Sequence, residues 1–63
     1  MSLENLVVGK KYWCGWASRR AVYMGTRMVK WGSELITEVR FRDMYGAYIE
    51  CSPEAVSKWV EER

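Results

Sequence analysis

The stretch from Leu35 to Cys51 constrains this chain more than any other, because two independent signals within it select one strand register. Leu35, Thr37, Val39 and Phe41 alternate with Ile36, Glu38, Arg40 and Arg42, the period of two that a half-buried strand requires. Asp43-Met44-Tyr45-Gly46 follows. Aspartate suits the first position of a type I turn, and glycine suits the left-handed position of the bulge that closes it. A turn there sets Asp43 opposite Ala47 and fixes the pairing below it. Phe41 then falls across from Ile49 and Val39 from Cys51 on an apolar face, while Arg42 meets Tyr48 and Arg40 meets Glu50 on a polar face. Turn chemistry and hydrophobic pattern agree, so an antiparallel hairpin is expected.

A lone hairpin is marginal in water, so the rest of the 63 residues must supply more strands or a cover. Leu3 to Val8 is an apolar lead-in ending at Gly9, a turn position. Lys10 to Trp16 crowds Tyr12, Trp13 and Trp16 around Cys14 and Gly15, and is expected to be a strand running into an irregular aromatic loop. Arg20 to Met24 reads as a second strand, with Val22 and Met24 on one face and Ala21 and Tyr23 on the other. Thr26 to Trp31 continues the sheet after a bulge at Gly25, and Gly32-Ser33 turns the chain. Ser52-Pro53-Glu54 is a helix start: a capping hydroxyl, a proline at the first helical position and an acid in the first turn. A helix of about ten residues is too short to persist alone. It is expected to pack through Val56, Trp59 and Val60 onto the sheet or across its open end. The expectation is one small domain over residues 1–63, mainly β with a short C-terminal helix, built as a strongly bent antiparallel sheet of four or five strands.

Three segments also carry a resemblance. Gly9, Lys10, Lys11 and Tyr12, then Arg20 to Gly25, then the Leu35–Cys51 hairpin together resemble the SH3-like small barrels of the Tudor and KOW kind. The resemblance implies a closed small barrel in which loops beside the first two strands bind peptides, modified side chains or nucleic acid. Tyr12, Trp13 and Tyr23 stand where binding aromatics of those families would be, and the Gly15-Trp16 insertion departs from the common pattern.

Function is bounded by what the chain lacks. It combines four Trp, four Tyr and one Phe with no His and a single Asp. The commonest general acid-base group is therefore missing. Glu34, Glu38 and Asp43 form no recognisable catalytic pair. Cys14 and Cys51 have neither the density of a disulfide scaffold nor the spacing of a metal site. They are expected to be reduced, half-buried thiols, with one long-range disulfide as the alternative. A non-enzymatic protein with no cofactor and no metal is expected. No leader or membrane-length apolar run occurs, so a cytoplasmic protein without a membrane partner is the default.

Binding is what the composition favours. Three large aromatics within five positions exceed what one inward strand side can bury, so at least one, Trp16 by preference, should lie near the surface. The alternative is that Trp13 plugs one end of the barrel and Trp16 folds over Ala17. Tyr12, Trp13, Trp16, Arg19, Arg20 and Tyr23 are the candidate partner surface, since Trp and Arg are favoured in interface hot spots. A protein partner is expected. The alternatives are single-stranded RNA or DNA, stacked on Trp16 or Tyr23 with Lys10, Lys11, Arg19, Arg20, Arg27 and Lys30 on phosphates, and a homo-oligomer that satisfies the surplus aromatics. A formal charge of +2 gives the nucleic-acid version a thin reserve. A secondary surface comprises Ile36, Arg40, Arg42, Tyr45 and Tyr48, with Met44 beside it. Phe41 and Trp59 are assigned to the core.

Overall fold

The Leu35–Cys51 hairpin forms in the expected register. In a computed structural model that describes residues 1–63, Phe41 pairs with Ile49, Val39 with Cys51, Arg40 with Glu50 and Arg42 with Tyr48. Asp43 N–H donates to Ala47 C=O at 2.9 Å and Gly46 N–H to Asp43 C=O at 3.0 Å, with Gly46 at φ 82°. Around this hairpin five strands line up, β1 (Lys11–Cys14), β2 (Arg19–Trp31), β3 (Glu34–Asp43), β4 (Tyr48–Cys51) and β5 (Val60–Glu61), with one helix, α1 (Pro53–Trp59), before β5. The order is β4-β3-β2-β1-β5 and every neighbouring pair is antiparallel.

β4 and β5 are the two edges and do not pair with each other, so the sheet is open and the closed-barrel expectation is not met. The local reason is Ser52-Pro53. β4 stops at Cys51, the Ser52 side chain accepts from Ala55 N–H at 3.4 Å, and Pro53 opens α1 where a missing N–H costs nothing. The chain thus crosses from one edge to the other as a helix.

One face of the sheet makes the core: Tyr12 and Cys14 from β1, Ala21 and Tyr23 from β2, Val39 and Phe41 from β3, Val56 from α1 and Val60 from β5. Phe41 is its aromatic centre. The Tyr23 ring lies 5.5 Å from it and the Trp16 ring meets it edge-on at 5.7 Å. A 3-10 turn at Leu3–Asn5 brings Met1, Leu3 and Leu6 onto the same core. The lead-in is pinned by Val7 N–H, which donates to the Tyr12 hydroxyl at 2.8 Å.

Three details differ from expectation. The helix has seven residues rather than about ten, because Val60 turns extended and pairs with Cys14, while Glu61 pairs with Trp13. Trp59 C=O accepts from Gly15 N–H at 2.8 Å, which satisfies a carbonyl that a longer helix would have used. Trp59, assigned to the core, is half exposed: its indole lies over Gly15, and a Cβ there would sit 2.9 Å from Trp59 Cε3 and 3.1 Å from its carbonyl oxygen. Leu35 is exposed although it shares the alternation of Val39 and Phe41, because the β2–β3 ribbon outruns β1 and β4 on both sides.

Both cysteines are free, Cys14 buried and Cys51 half-buried. Burial, and the proximity of Cys51, push the Cys14 thiol up to about 12; burial pushes Cys51 up to about 11. Neither is a thiolate at neutral pH.

The Gly15–Trp59 contact leaves no room for a methyl group. Gly15→Ala should cost about 1–3 kcal/mol, the usual range for overpacking, read as a lower urea midpoint. A variant as stable as the parent would mean that the indole is not held against the loop.

Candidate functional site

Strand alternation divides the proposed aromatic-basic cluster between two faces. With Tyr12 and Cys14 turned inward, Lys11 and Trp13 must face outward. With Ala21 and Tyr23 inward, Arg20 and Val22 face outward. Tyr12 is only 1% exposed, and Tyr23 is buried beside Phe41, so the expectation that they lie on an exposed surface is corrected: both are core aromatics. The aromatic pressure was real, but the inner face absorbed more of it than the spacing suggested. Trp16 is half-buried, with one edge on Phe41. Trp16, expected near the surface, lies at the margin of the core and covers part of it.

The outer face is assembled by register. β1–β2 pairing sets Trp13 beside Arg20 and Lys11 beside Val22; β2–β3 pairing sets Val22 beside Arg42, and β3–β4 pairing sets Arg42 beside Tyr48. Trp13 and Arg20 from the first predicted surface therefore join Arg42 and Tyr48 from the second. The Arg40 guanidinium lies 4.4 Å over the Tyr48 ring and the Arg42 guanidinium lies 5.8 Å from it. The Arg63 guanidinium sits 4.7 Å over the Trp13 ring.

Ion pairs sort the cations. Lys10 pairs with Glu62, Arg19 with Asp43, Arg40 with Glu50, Arg63 with Glu61, and Arg27 bridges Glu38 and Glu50 at 3.1 Å each. Lys11, Arg20, Lys30, Arg42 and Lys58 make no ion pair; Lys30 stands near the ribbon tip and Lys58 on α1, while Lys11, Arg20 and Arg42 lie together on the outer face around Val22.

Above this face stands the β3–β4 turn. Met44 is 81% and Tyr45 84% exposed, yet the turn that carries them is tightly held. Asp43 Oδ1 accepts from Tyr45 N–H at 2.9 Å and Ala47 N–H at 3.0 Å, and its Oδ2 accepts from Arg19 Nη1 at 2.7 Å. Met44 separates two depressions, one lined by Trp13, Arg19, Arg20 and Tyr45, the other by Val22, Met24, Arg42 and Gly46. Of the secondary residues, Ile36 lies apart on the β2–β3 ribbon, opposite Val29. Val22 is a site residue that the sequence reading does not include, and Lys11 enters it only through the nucleic-acid alternative; both follow once the β1–β2 pairing places Tyr12 and Tyr23 inward, which obliges them to face out.

No group of three His, Cys, Asp or Glu side chains is arranged to hold a metal ion, and no helix is long and apolar enough to cross a membrane. The chain matches no known protein family, no curated protein and no solved structure.

The Asp43 carboxyl has a pH signature. Burial raises its pKa, but the Arg19 hydrogen bond, the Ala47 and Tyr45 amides and the Arg19 charge outweigh this and hold it below the ordinary carboxylate value. A depressed folded-state pKa gives stability that is fully present above the unfolded value, about 3.9, and is lost as pH falls through the folded one. Urea midpoints should therefore drop in that acid window, and Asp43→Asn should lower stability at pH 7 while flattening the acid limb. An unchanged acid limb in Asp43→Asn would assign the titration to other groups.

Proposed function

We propose that this chain is a small, non-enzymatic protein-interaction module and that its outer face, around Val22 and the Met44-Tyr45 turn, takes an acidic segment of a protein partner. The observation that carries the reading is the coincidence of three cations without ion partners, Lys11, Arg20 and Arg42, with two large exposed side chains on a fixed turn. Carboxylates of the partner pair with the cations. Its apolar side chains fill the depressions on either side of Met44 against Trp13, Tyr45 and Val22. A held turn suits this role, because binding then loses little backbone freedom. Single-stranded nucleic acid is less well served: Tyr23 is buried, Trp16 is half-buried, and Lys10, Arg19 and Arg27 already face carboxylates.

The test is a titration with a panel of Glu-rich peptides, each bearing one Leu or Phe, beside an oligothymidylate control, followed by NMR. The peptides should shift the Trp13 indole and Tyr45 signals, and Arg20→Glu or Tyr45→Ala should weaken binding by about tenfold or more, the scale of a hot spot. Folding should be unaffected, since both side chains are exposed. If the panel leaves Trp13 and Tyr45 unmoved, the reading fails. Tighter oligothymidylate binding with a steep loss in salt would transfer the surface to nucleic acid.

A further inference from the structure

The β2–β3 ribbon is longer than the sheet that supports it. β1 covers β2 only as far as Val22, extended to Tyr23 by bonds with Gly9 and Lys10, and β4 covers β3 only back to Val39. From Met24 to Trp31 the outer edge of β2 has no neighbour in the chain, and Trp31 at the ribbon tip is 76% exposed. A free edge of this length is a template for another strand.

Which backbone groups point outward follows from the ladder. Asp43 N–H bonds to β4, so Phe41 and Val39 also turn their peptide groups to β4 and Arg40 turns towards β2. Arg40 faces Gly25 across the bulge, so Gly25, Arg27 and Val29 bond inward to β3, while Thr26, Met28 and Lys30 present N–H and C=O to the outside. These alternate residues match a second β2 running antiparallel about a twofold axis at Met28. Met28 then faces Met28 of the second copy, and Thr26 faces Lys30, each donating and accepting one bond.

Side chains agree with that register. Arg27 meets Val29 and Lys30 meets Thr26, so no cation faces its own copy. Trp31 falls opposite Gly25, where a Cβ would find nothing within 4 Å and the indole has room to lie. The free stretch of β3 is shorter, and centring it on Ile36 would set Glu34 against Glu38 of the other copy. We infer that the chain forms a twofold dimer by edge-to-edge pairing of β2 over Thr26–Lys30. The axis lies at the far end of β2 from Arg20, so the interface is separate from the outer-face surface around the β3–β4 turn and stands or fails independently of it.

Sedimentation across a concentration series up to about 1 mM, where even weak pairing registers, should show the mass rising to twice that of the chain. Met28→Pro removes an outward N–H without breaking the β2–β3 ladder and should stay monomeric with an unchanged far-UV spectrum. Independently of that variant, hydrogen exchange of the concentrated parent should protect the Thr26, Met28 and Lys30 amides. On dilution these should lose protection while Arg27 and Val29 keep theirs, and an intermolecular contact should join the Arg27 and Val29 Hα protons. A parent monomeric throughout the series overturns the inference. So does a dimer in which Thr26, Met28 and Lys30 exchange freely, or one that a folded Met28→Pro chain still forms.

Discussion

Asp43 carries a carboxylate at a position almost closed to water, and such a group is tolerated only when its charge and lone pairs are met. Here they are met by two backbone amides of its own turn and one guanidinium from the start of β2. The amides select the turn geometry, the turn selects the β3–β4 register, and the register decides which side chains of that hairpin enter the core. Arg19 extends this control across the sheet. By drawing Arg19 to the Asp43 side, the bond leaves Arg20, its alternate neighbour, on the outer face beside Trp13. Fold and candidate surface are therefore outcomes of one short polar network.

The parts of the molecule that were legible in the sequence are those settled by neighbours. The Asp43–Gly46 turn, the bulge at Gly25, the Gly32-Ser33 turn and the Ser52-Pro53 helix start each follow from a few residues with strong backbone preferences. The parts that were not legible depend on where a distant strand ends. Leu35 obeys the same alternation as Phe41, yet lies in solvent because β1 and β4 do not reach it. Trp59 sits on a sound helical stripe, but the bond between Gly15 and its carbonyl turns the chain into β5 and leaves the indole against the loop. Tyr12 and Tyr23 could be placed inward only once the β1–β2 pairing was known, and with them went half of the aromatic cluster. Tyrosine at an inward position has an apolar ring to bury and a hydroxyl to satisfy, and Tyr12 satisfies its own with Val7 N–H.

Charge on this chain is nearly balanced in total and unevenly spent in space. Along the outer face of the ribbon, Arg27 and Arg40 are consumed by Glu38 and Glu50. Toward the β3–β4 turn, Lys11, Arg20 and Arg42 have no such partners. Exposed ion pairs of the first kind contribute little to stability. Their effect here is to neutralise the outer face of the ribbon between Arg27 and Arg40, so that the cations left unpaired on that face cluster toward the region where Met44 and Tyr45 are displayed.

The contact of Gly15 with Trp59 has a kinetic consequence. The β2–β3 and β3–β4 pairings close short loops, whereas β1 and β5 meet only after most of the chain has been brought round, an arrangement of high contact order at that one seam. Local ladders lose less chain entropy on forming, so the seam closes late, when the rest of the sheet already offers it a surface. Crowding the seam at Gly15 then acts on the unfolding limb of a chevron and leaves the folding limb nearly unmoved, whereas a change at Asp43 moves both. On this ordering the lifetime of the folded chain is expected to depend on the seam between β1 and β5, and its speed of folding on the turn.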